Sequence, residues 1–180
     1  AQAPPPAQPR YAGGDGSASS PYQIATWSQL DNVRQNLDAN FTLVDDLNAS
    51  TAGYDTVANA SANSGKGFEP IGDQNTRFAG SFDGACYSSS NLTIDRPATS
   101  SVGLFGEVGQ SATVSQLTLS NVNVTGDSEV GGVAGRNKGA IRNTTVRGNI
   151  TGIDKQYTNV GGLVGKHNAA GELVDVNASG

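Results

Sequence analysis

Few side chains in this chain could do chemistry. Acid–base catalysis by paired carboxylates, as in glycoside-cleaving enzymes, would fall to Asp45-Asp46 or to Asp83 with Asp95. Asp45 and Asp46 are neighbours in FTLVDDL, a stretch that alternates as a strand, so they face opposite sides and share no site. Asp83 lies in the Gly-flanked FAGSFDG, where Asp commonly bonds its own backbone. His167 is the single histidine, and neither a nucleophile nor an orienting partner stands at a useful spacing from it. Cys86 is alone, which rules out an intrachain disulfide, and it has no His, Asp or Cys cluster around it; a small buried apolar side chain is expected. Calcium is the one cation with a place to sit, at GGDGS (13–17) or at Asp45-Asp46. The residues therefore assign no catalytic, cofactor or metal set, and the chain reads as no enzyme.

Asparagine supplies another kind of chemistry. Asn-x-Ser/Thr sequons occur at Asn40, Asn48, Asn59, Asn91, Asn123, Asn143, Asn149 and Asn177, half of the sixteen asparagines, which makes glycosylation in an extracellular setting the expectation. The rival explanation is turn chemistry, since Asn bonds its own backbone in turns. NVTG, NITG and NASG share one frame at 123, 149 and 177, and Asn123 and Asn149 are expected at exposed corners.

These residues must be positioned by strands. With 24 Gly, no Met, 6% aromatic and 15% charged residues, the composition is that of an all-β chain. The segments Gly103-Leu-Phe-Gly106, Gly132-Val-Ala-Gly135 and Gly162-Leu-Val-Gly165 begin 29 and 30 residues apart, the mark of a solenoid whose units bury apolar edges on one another. Gly at both ends of each core permits close approach of stacked backbones. In LTLSNVNVTG the inward set passes from Leu117 and Leu119 to Val122 and Val124, so the phase flips at Ser120-Asn121 and marks a corner; a second is expected at Gly148-Asn149. Gly80 and Gly84 are expected at tight corners with positive φ. Leu104, Phe105, Leu117, Leu119, Val133, Ile141, Leu163 and Leu173 form the expected core.

The chain divides into a Pro/Gly/Ser-rich arm at 1–20, an N-terminal cap at 21–77 and repeats at 78–180. The arm favours polyproline II followed by a flexible stretch. Thr26-Trp-Ser-Gln29 has the form of a capping box, and Trp27, Leu30, Val33 and Leu37 make one stripe, predicting a helix over about residues 27–37. Residues 48–77 show neither period and read as a long loop, anchored by Phe68 and Ile71.

VGGVAGRNKGAIRN and VGGLVGKHN resemble the GLUG motif of bacterial and archaeal surface proteins, including adhesin-like chains and the accessory region of some IgA-cleaving metallopeptidases. PYQIATWSQL, FTLVDDL, FEPIG, FAGSFDG and NLTID resemble the capping portion that often precedes such repeats. The resemblance covers about residues 20–180 and implies a short right-handed parallel β-helix. It implies no peptidase activity here, since no His-Glu-x-x-His run occurs.

Charge narrows the partners. The net charge is −5, and the bases Arg136, Lys138, Arg142 and Arg147 are dispersed without interleaved aromatics, so nucleic acid is excluded. No run of 18 apolar residues exists to span a membrane as a helix. No signal peptide is visible, and a start at AQAPPP suits a processed chain. The expected function is a non-enzymatic extracellular structural or adhesive module, with the arm and acidic cap of one copy docking on the open C-terminal end of the next to build a filament. The alternative is a carbohydrate-binding module using Tyr54, Tyr157 or the 48–77 loop. A polysaccharide-active enzyme ranks third. An ice-binding face ranks last, since Thr118, Thr125 and Thr145 look too scattered for a flat array.

Overall fold

The computed structural model describes residues 9–154, 156 and 158–180. They form a parallel β-solenoid of about three turns, built from three stacks of short strands. The first sheet runs Tyr22–Ile24, Asn40–Leu43, Ser81–Asp83, Thr113–Ser115, Ala140–Arg142 and Glu172–Val174, all parallel. In the second, Ser88–Ser90 and Thr93–Arg96 both pair with Thr118–Gly126, followed by Thr145–Gly152 and Asn177–Ser179. The third stacks Phe105–Val108, Ala134–Asn137 and Val164–His167. One turn passes from the third sheet to the first, then along the second, and returns through the short ladder Val130–Gly131 beside Val160–Gly161. The repeated Gly-x-x-Gly segments enter the third sheet, so each repeat copy starts a turn.

Parallel registration puts like side chains on like. Tyr22, Phe41, Phe82, Val114, Ile141 and Leu173 form one column across the first sheet. Phe41, Phe82, Val114 and Ile141 are buried, each contributing about 1.5–3 kcal/mol by leaving water. Leu104, Phe105, Leu117, Leu119, Val133 and Leu163 are buried as expected. Leu173 is not: it is 37% exposed, because it lies on the last turn and no further strand stacks on it among the described residues.

Corners are set by left-handed residues repeated from turn to turn. Cys86, Gln116, Asn143 and Asp175 have positive φ between the first and second sheets. Asn91 and Asn121 do so within the second; on the following turn Gly148 (φ +149), in register with Val122, makes the bend where the register shifts between Val146 and Gly148. Both expected corners are therefore present. Gly80 and Gly84 do not have positive φ; that conformation falls on Ala85 and Cys86. Those glycines serve close approach instead, a Cβ at Gly80 lying 1.8 Å from the Ala39 carbonyl oxygen.

At the N-terminal side the helix is shorter than the stripe suggested, spanning Trp27–Asn32 and tightening into a 3₁₀ turn at Val33–Gln35. Thr26 caps it, accepting from the Gln29 N–H at 3.2 Å, while the Gln29 side chain accepts from the Ala25 N–H. Trp27, Leu30 and Val33 are buried, and the Trp27 indole donates to the Asn48 carbonyl. Residues 48–77 hold local structure of their own, a π-helical turn at Tyr54–Ala58 and a kinked one at Ala62–Gly65 with left-handed Asn63 and Ser64. Phe68 and Ile71 are buried, and Ile71 bridges to Phe105.

The described part of the arm lies on its own chain. Gly13 forms an antiparallel bridge with Gln23, Tyr11 stacks on Tyr22 at 4.2 Å, and the Tyr11 hydroxyl donates toward Asn32 and Asn36. The flexible stretch expected after the prolines is thus held along the free edge of the first strand; residues 1–8 lie outside the described part. No helix among the described residues is long and apolar enough to cross a membrane.

Candidate functional site

Of the carboxylates singled out from sequence, Asp45, Asp46 and Asp83 serve turns and rung contacts. Asp45 accepts from the Asp46 N–H, and Asp46 accepts from the backbone and hydroxyl of Ser88 on the next turn. Asp83 accepts from the Ala85 N–H in the first sheet, whereas Asp95 is exposed in the second. Asp15 is bonded to Ser17, which holds its carboxyl below the usual range, and GGDGS supplies only that one carboxylate, short of a calcium ligand set. His167 stands in register with Asn137, whose side-chain nitrogen lies 3.3 Å from its Nδ1, so it stacks at a corner. Cys86 was expected to be buried; it is exposed at a left-handed corner, its thiol donating to Gln116. Tyr54 is no free sugar platform: it is half-buried against Trp27, and its hydroxyl donates to the Asn91 carbonyl at 2.9 Å. Tyr157 lies outside the described residues.

The bases read as a dispersed patch are largely neutralised. Glu107 is fully buried in the third sheet, with Arg77 Nε at 3.1 Å and Lys138 Nζ at 2.8 Å. These are ion contacts without the alignment of a hydrogen bond. Glu129 accepts from Arg136 and from Ser101, each at 2.6 Å, and faces Lys166 at 3.4 Å. Burial pushes the Glu129 carboxyl up, but the hydrogen bonds of Arg136 and Ser101 and the Arg136 charge outweigh it, so its pKa lies below the ordinary value. Arg142 pairs with Glu172 at the surface.

The feature that sequence reasoning missed is the outer face of the second sheet. Ser88, Thr118, Thr145 and Asn177 align in one column, Thr93, Asn123 and Asn149 in another, and Asp95, Thr125 and Thr151 in a third. The threonines judged scattered are in register. Thr118 and Thr145 are 27 positions apart and Thr125 and Thr151 are 26 apart, not the 29 and 30 of the Gly-x-x-Gly repeat, because the connection from the third sheet to the first shortens from 109–112 to 138–139 and a further residue drops out at the register shift between Val146 and Gly148. Counting within each strand from its corner, rather than from the glycines, would have found them. Neighbouring members of a column stand about 4.8 Å apart.

The eight sequons separate on the same frame. The Asn40 side chain donates to the Gly16 carbonyl and accepts from Ser81. Asn48 and Asn59 accept from Ser50 and Ser61 in tight turns. Asn91 accepts from Asn121 at 2.6 Å, and Asn143 occupies a left-handed corner. Asn177 is exposed on the last turn. Asn123 and Asn149 are exposed as expected but lie within strands, since the corners are Asn121 and Gly148.

No family model matches the chain, and no solved structure matches it. Among curated proteins it is similar to Halomucin of Haloquadratum walsbyi, 40% identical over 166 residues that make up 90% of this chain and 2% of that protein. It is also similar to a protein of Evansella cellulosilytica named as a Gly-rich membrane protein, 37% identical over 141 residues, 76% of this chain and 15% of that protein. The chain thus spans a small fraction of either relative.

Proposed function

We propose that this chain is a non-enzymatic structural or adhesive module of GLUG-type rungs, displayed outside the cell. The observation that carries this reading is that the outward side chains repeat from turn to turn in polar columns, while Asp45, Asp46 and Asp83 are engaged singly in turns and rung contacts and Asp95 stands apart from them in the second sheet. The names of the two relatives, Halomucin and a Gly-rich membrane protein, support the placement at the surface. Head-to-tail association of copies into a filament extends the reading, and sedimentation decides it.

An antibody against the chain tests the proposal on intact source cells. Labelling without permeabilisation, together with no release of reducing ends from a polysaccharide panel by the purified chain, is the expected result. Labelling only after permeabilisation overturns the location, and sugar release overturns the non-enzymatic reading. Sedimentation over a concentration series tests association: a Leu173→Asp variant remains monomeric where the parent chain assembles, and a parent chain monomeric throughout removes the filament.

A further inference from the structure

We propose that the outer face of the second sheet is a glycan-bearing face with Asn123 and Asn149 as its acceptors, an inference that rests on the surface placement above. N-glycosylation requires a carboxamide nitrogen that can leave its contacts and a hydroxyl two residues on. In an extended strand residues i and i+2 lie on the same side, so Asn123 shares its face with Thr125, and Asn149 with Thr151. The two sequons are in register residue by residue, Asn123 beside Asn149 and Thr125 beside Thr151. Both asparagines are exposed, and among the described residues neither side chain is engaged in a hydrogen bond.

Other sequons are closed by the same fold. Asn40 is held at both polar ends between Gly16 and Ser81, and a sugar there would have to lift residues 10–16 off the first strand. Asn91 is fixed at a left-handed corner by Asn121 on one side and Ser90 on the other. At Asn59 the side-chain nitrogen donates to Asp55 while the oxygen accepts from Ser61 and Ala62. The turn-chemistry explanation of the sequons thus holds for this group; of the four whose side chains make no hydrogen bond among the described residues, Asn123, Asn143, Asn149 and Asn177, only Asn123 and Asn149 stand in register with one another.

The chemistry requires a sugar linked through phosphate to a lipid carrier, and a transferase to present it. The Asn side-chain nitrogen attacks the anomeric carbon, forming the N–C bond as the bond from that carbon to the phosphate oxygen breaks. The carrier leaves as the lipid phosphate, and the amide nitrogen gives up one proton to the medium. No oxidant or reductant is involved. Sugars on both residues would project from adjacent strands and cover the Thr and Ser columns beside them.

The test is proteolytic mapping by mass spectrometry of the chain isolated from its source cells, alongside the surface labelling already described. Expected are glycopeptides containing Asn123 or Asn149 and bare peptides for Asn40, Asn59 and Asn91. A surface-labelled chain that is bare at both Asn123 and Asn149, whatever Asn143 and Asn177 carry, overturns this inference alone. Sugar on Asn40 or Asn91 overturns the exclusion rule on which it rests. A chain absent from the surface removes the functional reading itself. As a control on folding, an Asn123→Gln, Asn149→Gln variant expressed in the same cells loses the sugar mass and keeps its circular dichroism spectrum; retention of the full sugar mass also overturns the assignment.

Discussion

A Cβ placed at Gly135 would lie 2.2 Å from the Ser101 carbonyl carbon, and one at Gly165 would lie 2.3 Å from the Val130 nitrogen. Both neighbours are backbone, which cannot rotate away as a side chain can, so the Gly-x-x-Gly pattern records how closely the return segments press on the third sheet. Gly135→Ala should destabilise by about 1–3 kcal/mol through overpacking, read as a lowered midpoint in urea. An unchanged midpoint would show that the return segment shifts freely. Glu129 makes a second prediction at this scale. Its folded pKa is depressed below the ordinary 4.5, so its stabilising contribution is present above that value and lost as pH falls toward the folded pKa. Glu129→Gln should therefore lower the Tm at pH 7, and the gap to the parent chain should close below about pH 4.5; a gap independent of pH would assign the effect to packing rather than charge.

At the scale of the element, the polar left-handed corners decide where strands stop and which face each side chain takes. Asn tolerates positive φ better than other residues with a Cβ, and a β-branched residue is strained there. Asn121→Val should thus destabilise while Asn121→Gly stays near the parent chain, and equal Tm values for the two would remove backbone conformation as the reason for Asn121. These corners also explain how far the sequence could be read. The phase flip between Leu119 and Val122 was visible because buried residues on both sides are apolar. The alternation of Ser88–Ser90 carried no such signal, since its inward residue is Ser89. The helix start was legible through Thr26 and Gln29, but its early tightening at Val33 was not, because steps of three suit an α-helix and a 3₁₀ turn alike. Registration of Thr118 with Thr145 was hidden because connections of unequal length separate the repeat glycines from the strands of the second sheet.

For the whole molecule, each turn is held chiefly by the turns on either side, so stability is distributed along the axis and falls where one neighbour is missing. Val114 and Leu119 are fully buried with strands on both sides, whereas Leu173 and Val174 have a partner strand on one side only among the described residues. Amide hydrogen exchange should therefore be slowest around 105–124 and fastest over 172–179, and uniform protection would mean that the turns open as a single unit.

The sealed Glu107 carries a consequence for the medium in which such a solenoid works. Mobile ions screen charges they can approach, with a Debye length of about 8 Å at physiological ionic strength and about 3 Å in molar salt, while buried pairs are shielded much less. Arg142 and Glu172, each about half exposed at 49%, are open to that screening, but Glu107 at 0% is closed off behind Arg77 and Lys138. Raising sodium chloride from 0.1 to about 2 M should erase the stability difference between the parent chain and Arg142→Gln, yet leave Lys138→Met destabilised by nearly as much as in dilute buffer. The Glu107 cluster is in this sense less open to salt than the Arg142–Glu172 pair, since its carboxylate is buried even though Arg77 and Lys138 reach the surface.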